Sequence, residues 1–379
     1  MDPILNYVAS RERDLIALLR EMVECESPSD DPAAINRFVD LMAAKVQGKA
    51  EVRTFPGGKY GKHAQLIFAP TVKRPGKQLL ALGHSDTVWP MGTLKTMPWR
   101  EEKGRLWGPG VLDMKSGVAF LVFAMEALRE LDIPIPRKVV LQLNSDEEVG
   151  SESSRALTEK EAKRSHAVLV LEPGTGLEGK LKTARKGVGG YDVVVKGVAS
   201  HAGVDFAAGA SAVLELARQI ERIAEFTNLK KGLTVNPGVI SGGTRSNVVA
   251  AEARADVDIR IARLKDFGKL DKKFRSLRAV DKRCRVTVEG GLNRPPMERT
   301  PEIASLFQTA KRLAAELGRK IEESATGGGS DGNFTAALGV PTLDGLGGVG
   351  EGAHANHESI LIDRIADRTA LLAKLVATI

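Results

Sequence analysis

Three stretches constrain the fold more than any other feature of this chain: KQLLALGHSD (77–86), RKVVLQLNSDE (137–147) and HAVLVLEPG (166–174). Each is almost continuously apolar over the length of a strand and then empties into His, Asp or Glu. A strand that is apolar at successive positions is covered on both faces, which requires a sheet with helices on either side. Helical segments do alternate with these runs. Asp30 or Asp31 before Pro32 marks a helix start ahead of AAINRFVDLMAAKV, and residues 116–130, SGVAFLVFAMEALRE, read as a very apolar helix. AQLIFAP adds another strand. The pattern predicts the α/β class, a three-layer sandwich around a mixed, largely parallel sheet.

The pattern changes near residue 186. KGVGGYDVVVKGVAS alternates apolar and polar positions, as a strand with one wet face does. A helix over about 208–226, strands at 233–241 and 247–263, a second helix and the strand CRVTVEG follow. This order predicts an inserted α+β domain with a four-stranded antiparallel sheet and two helices. The expected division is 186–296 for the insert and 1–185 with 297–379 for the sandwich. After the insert come a helix from Thr300, the segment GGGSDGNF, the short strand VPTLDG and a closing helix from about Ser359.

Bulk properties narrow the function classes. The 379 residues are 42% hydrophobic and 27% charged, as in an ordinary globular chain, and the length suggests two domains. The net charge of +7 is dispersed, without the basic aromatic stripe of a nucleic-acid binder, so no nucleic-acid partner is expected. No apolar run approaches membrane-spanning length. The N-terminus MDPILNYVASRERDLIALL reads as a capped amphipathic helix, and a cytoplasmic location is expected. Cys25 and Cys284 lie far apart, and no disulfide is expected between them.

The chemically useful residues fall at strand ends. His84 and Asp86 close the first run, Glu147 and Glu148 follow the second, and Glu172 closes the third. Asp113 lies in the Gly-rich turn GPGVLDMKSG just before the apolar helix. Singly, a strand-end His is a structural residue, Asp113 a helix cap and the Glu-Glu pair a solvated edge. Together they bring His and acids from four segments to the edge where open α/β sheets bind ligands. Such acids repel unless positive charge lies among them, which points to a divalent cation. A His/Asp/Glu set without cysteine suits zinc, with manganese or cobalt as substitutes, and the surplus of acids suggests two ions sharing a bridging carboxylate.

Read in order, HSDTVWP, GPGVLDMKSG, NSDEEVGS, LEPG, GVASHAG and TGGGSDGNF followed by AHANHE resemble the motifs of the di-zinc aminoacylase and carboxypeptidase family. That family includes glutamate carboxypeptidase, acetylornithine deacetylase and succinyl-diaminopimelate desuccinylase. The resemblance implies two Zn2+ ions per subunit, with His84, Asp113, Glu148, Glu172 and His354 as ligands and Asp113 as the bridge. His357 is the alternative to His354. Asp86 would orient the His84 ring through its carboxylate, and Glu147 would be the general base. The insert would be a lid and dimerisation domain of a homodimer, with His201 reaching the partner's active site to hold an oxyanion and Asn247 assisting. Arg260, with Gly328, Gly329 and Ser330, would bind the substrate carboxylate. The expected activity is hydrolysis of a small peptidyl or N-acyl amino acid, with the motifs nearest to glutamate carboxypeptidase. N-acyl-amino-acid deacylation of the acetylornithine deacetylase type is the alternative, and a catalytically silent binding protein the remote one.

Overall fold

The computed structural model describes residues 2–379. Two compact units divide the chain: Met1–Ala184, Arg299–Ala325 and Ser330–Ile379 form the first, and Arg185–Glu298 with Thr326–Gly329 the second. The chain opens with α1 (Pro3–Ser10), α2 (Glu12–Glu24) and α3 (Pro32–Lys45), followed by β1 (Glu51–Pro56), β2 (Lys62–Phe68) and β3 (Gln78–His84). Short strands β4 (Arg100–Glu102) and β5 (Arg105–Trp107) precede α4 (Ser116–Glu130), β6 (Val139–Asn144), α5 (Arg155–Lys163), β7 (Ser165–Val170) and β8 (Leu181–Arg185). The second unit contains β9 (Gly187–Lys196), α6 (Ala212–Ala224), β10 (Thr234–Gly242), β11 (Glu252–Ile261), α7 (Leu264–Arg275) and β12 (Arg285–Arg294). The first unit resumes with α8 (Pro301–Glu316), β13 (Glu323–Thr326), α9 (Gly332–Ala337), β14 (Thr342–Leu343), β15 (Gly350–Glu351), β16 (Ser359–Leu361) and α10 (Ile365–Thr378).

The main sheet of the first unit has the order β1-β2-β6-β3-β7-β14. β3 pairs in parallel with both β6 and β7, and β7 with β14, whereas β1–β2 and β2–β6 are antiparallel. The sheet is therefore mixed and largely parallel, as the apolar runs require. Along β3, Leu79 and Ala81 face the large core that holds α4 and α10, while Leu80 and Leu82 face a smaller core with Ala162 of α5. Burial on both faces is the reason the run is continuous rather than alternating. α4 lies so deep that nearly all its side chains are buried, and α3 starts where the sequence marks it, with the Asp31 carboxylate accepting from Ala34 N.

In the second unit the sheet order is β10-β11-β9-β12, antiparallel throughout. Tyr191, Val193 and Val195 of β9 and Ala255, Val257 and Ile259 of β11 pack with Leu216 of α6 and Phe274 of α7, leaving the intervening positions on the wet face. Several boundaries differ from the sequence expectation, among them the strand expected at 247–263, which is β11 at Glu252–Ile261. The helix expected over about 208–226 is confined to Ala212–Ala224, started by Ser211, whose hydroxyl accepts from Leu214 N. The closing helix begins at Ile365, because Ser359–Leu361 first pair antiparallel with β5 in a small sheet of order β15-β16-β5-β4. No helix among the described residues is long and apolar enough to cross a membrane.

Candidate functional site

Because β6, β3 and β7 are neighbours running the same way, their C-terminal ends deliver His84, the Glu147–Glu148 turn and Glu172 to one rim. Asp113 comes from a wide helical turn over Val111–Lys115 that leads directly into α4. Its backbone there is non-helical (φ −114°, ψ 94°), the cap position of α4 falls on Lys115 rather than on Asp113, and the Asp113–Met114 peptide is cis. His354 arrives from the loop before β16 with a left-handed backbone (φ 62°).

Side-chain atoms of these residues form two donor groups, His84–Asp113–Glu172 and Asp113–Glu148–His354, in each of which one atom per residue lies within 4.8 Å of the others. Asp113 belongs to both. Its Oδ1 is 3.2 Å from His84 Nε2, and its Oδ2 is 3.4 Å from His354 Nε2. His84 Nε2 also lies 3.7 Å from Glu172 Oε1, and His354 Nε2 lies 3.4 Å from Glu148 Oε2. His357 is in neither group. The carboxylates make the locality strongly attractive to positive charge. Hydrogen bonds to Asp113 and Glu148 push His354 up to about 10 against its partial burial. Burial opposes a charge on His84, yet Asp113 and the surrounding acids raise it well above the usual imidazole range. Glu148 Oε1 is buried with no hydrogen-bond partner. A buried carboxylate oxygen without a donor, beside His and acid donors, is what a divalent cation satisfies, so the residues present fit one.

The surroundings give each expected residue its partners. The Asp86 carboxylate is not the nearest partner of the His84 ring. His84 Nδ1–H donates to the Asp86 backbone carbonyl at 2.8 Å, and the carboxylate stands 3.5 Å away. This bond leaves the Nε2 lone pair of the neutral ring facing Asp113 and Glu172. The Asp86 carboxylate, pushed up to about 6 by burial, accepts from Ser29 Oγ at 2.8 Å and from the N–H groups of Glu147 and Glu148 at 3.3 and 3.2 Å. It thereby anchors the acidic turn. Glu147, half-buried in that turn, is in neither donor group.

Ser330 is fully buried, its hydroxyl donating to Asp344 Oδ2 and its N–H to Asn333 Oδ1, so it has no exposed donor for a substrate. Arg260, two residues from Asp258 on the same face of β11, places its guanidinium fork on that carboxylate with two bonds of 2.9 Å. The fork expected to hold a substrate is engaged locally. Arg185 Nη1 donates to the carbonyls of Gly328 and Gly329, and a Cβ at Gly329 would come within 2.9 Å of Arg294 and Val188. His201 is exposed in the second unit. Its Nδ1 accepts from the N–H groups of Gly203 and Val204, which places the proton of the neutral ring on Nε2. The exposed Asn247 lies beside it, its carbonyl accepting from Ala202 N at 2.9 Å.

Glu358 ends the AHANHE segment four residues after His354, and residue order carries no signal of its contacts. Its fully buried carboxylate accepts from the N–H groups of Gly110, Leu112 and Asp113 and from Trp89 Nε1.

Residues 80–378 match the profile of peptidase family M20/M25/M40. Over 99% of its length the chain is 29% identical to carboxypeptidase G2 of Pseudomonas sp. (strain RS-16), covering 92% of that protein. Among solved structures, aminopeptidase PepT from Bacillus cereus superposes with a TM-score of 0.80 at 21% identity, covering 97% of this chain and 98% of that one. The YXEP protein of Bacillus subtilis, described as a dinuclear metal binding peptidase, gives a TM-score of 0.71 at 13% identity, with 97% and 98% covered. The family is metal-dependent, and the chain carries grouped donors of the matching kind. This chain belongs to peptidase family M20/M25/M40 and is a hydrolytic enzyme.

Proposed function

We propose that this enzyme hydrolyses the amide bond of a small peptidyl or N-acyl amino acid as a carboxypeptidase releasing an acidic C-terminal residue, and that it holds two Zn2+ ions per subunit. The observation that carries this reading is Asp113, whose two carboxylate oxygens face two different donor groups. The orphaned Glu148 Oε1 supports it, as does the His/Asp/Glu donor set, for which Mn2+ or Co2+ would substitute. The likeness to carboxypeptidase G2 supports an exopeptidase, and the dinuclear neighbour supports two ions.

Two divalent cations held by His84, Asp113, Glu172, Glu148 and His354 supply Lewis acidity for activating water and polarising the scissile carbonyl. Glu147 lies outside both donor groups, on a turn held by Asp86, and takes the proton of the attacking water. It returns that proton to the leaving amine. His201, with its proton on Nε2, donates to the developing oxyanion in a partner subunit's site. The homodimer this requires is supported by the exposed edge strand β10, where Val239 and Ile240 are 60% and 65% exposed, beside exposed Val213 and Leu214 of α6.

The test is a hydrolysis screen that varies the released amino acid against a fixed acyl group, repeated after chelation and after adding back Zn2+ or Mn2+. The expected result is a preference for released Glu or Asp, with activity lost on chelation and restored by metal. Turnover that does not depend on the released residue refutes the carboxypeptidase reading, and metal-indifferent turnover refutes the metal reading. Glu147→Gln is expected to abolish turnover while both ions stay bound, and loss of metal from that variant would overturn its assignment as base.

A further inference from the structure

We infer that Glu358 is a positioning residue that fixes Asp113 between the two donor groups. The inference rests on the metal reading of those groups. The Glu358 side chain is fully buried and belongs to neither group, yet its two oxygens collect four N–H donors. Oε1 accepts from Leu112 N at 2.8 Å and Asp113 N at 3.0 Å, and Oε2 accepts from Gly110 N at 2.9 Å and Trp89 Nε1 at 2.7 Å. Three backbone N–H groups of one short segment therefore converge on a single carboxylate, an anion-holding concavity whose anion is supplied by the chain itself.

The three segments joined in this way are those that carry His84, Asp113 and His354. Trp89 lies five residues after His84, Gly110–Asp113 is the segment of the shared carboxylate, and Glu358 stands four residues after His354. Asp113 must present one oxygen to each group, so a rotation of its segment would disturb both groups together. The backbone around it has little intrinsic reason to hold its shape. Gly110 is left-handed (φ 73°), and Asp113 itself is outside the helical range. Charge-assisted bonds to a buried carboxylate hold such a segment more firmly than neutral ones. Glutamine cannot replace this group, because its NH2 would meet N–H donors where Oε1 or Oε2 now accepts.

The experiment measures Zn2+ affinity of the full-length protein by competition with a chromophoric chelator, and the absorption spectrum of the Co2+-loaded form, for wild type, Glu358→Gln and Trp89→Phe. Glu358→Gln is expected to weaken Zn2+ binding by about 10- to 100-fold at both positions together and to alter the Co2+ spectrum. Its kcat should fall at limiting metal with little change in KM and recover with excess metal. Trp89→Phe, which removes one of the four bonds, is expected to show a smaller loss in the same direction and carries the test if Glu358→Gln does not fold. A folded Glu358→Gln protein with wild-type Zn2+ affinity and an unchanged spectrum overturns the inference, even if its Tm is lower. If Glu358→Gln does not fold, wild-type affinity in Trp89→Phe overturns it instead. Wild-type protein that binds no divalent cation overturns the metal reading itself.

Discussion

Gly117→Ala tests how closely this fold ties its packing to its chemistry. Gly117 lies in the first turn of α4, four residues after Asp113, and its Cα faces the peptide that follows Leu171, the residue before Glu172. A Cβ at this position would overlap the Leu171 carbonyl oxygen and stand 3.0 Å from both the Leu171 carbonyl carbon and its Cβ. Carbon atoms in contact prefer about 3.5–4.0 Å. The helix and the strand end would have to part by roughly 1 Å, and Leu171 cannot retreat freely, because Gly347 closes on the same carbonyl from another side. Overpacking of this kind costs about 1–3 kcal/mol, which the better helix propensity of Ala offsets by at most about 1 kcal/mol. The same displacement separates Asp113 from Glu172, two members of one donor group, and about 1 Å of misplacement can cost on the order of 100-fold in rate. The assay pairs urea unfolding with kcat/KM and bound-metal analysis. Gly268→Ala in α7 is the control, since a Cβ there meets nothing within 4 Å, and it should be neutral or slightly stabilising with unchanged activity. If Gly117→Ala matched wild type in stability, metal content and kcat/KM, the argument that this glycine sets the spacing of the donors would be refuted.

Two further outcomes concern other parts of the chain. Burial pushes His63 below its usual value of 6.5; its Nδ1 accepts from Ser145 N, and Nε2 lies 3.1 Å from Ser153 Oγ. The unfolded chain then takes up a proton that the folded one refuses, so stability present above about pH 6.5 should decline as pH falls below it. His63→Gln should flatten that decline in urea titrations run from pH 7 to 5, and parallel curves would contradict the assignment. Inactive Glu147→Gln and His201→Ala proteins, co-refolded, should regain part of the activity if His201 serves the partner subunit, and a mixture as inactive as its components would remove His201 from that role.

Properties set by neighbouring residues were legible before any coordinates. The runs ending in His84, Glu147 and Glu172 predict strands buried on both faces, and a parallel arrangement brings their ends to one edge without further information. Helix α4 spans Ser116–Glu130, as its uninterrupted apolar pattern implies. The alternation in KGVGGYDVVVK likewise carries the one-sided sheet of the second unit. The nearest partner of the His84 ring was not legible from residue order. Whether a ring nitrogen meets a side-chain carboxylate or the backbone carbonyl of the same residue depends on local dihedral angles, and residue order does not state them.

The amino-acid sequence by itself determined which segments must be buried, which residues with useful chemistry stand at their ends and which family pattern they follow. Burial and periodicity are local, so they are written along the chain. Tertiary structure alone decided that Ser330 is buried against Asp344 and that Glu358 closes on Asp113 from 245 residues away. Each outcome depends on which polar group arrives within about 3 Å of another after packing. The position of a donor beside an acceptor is a property of the packed chain, and it settles what a carboxylate or a hydroxyl has left to offer.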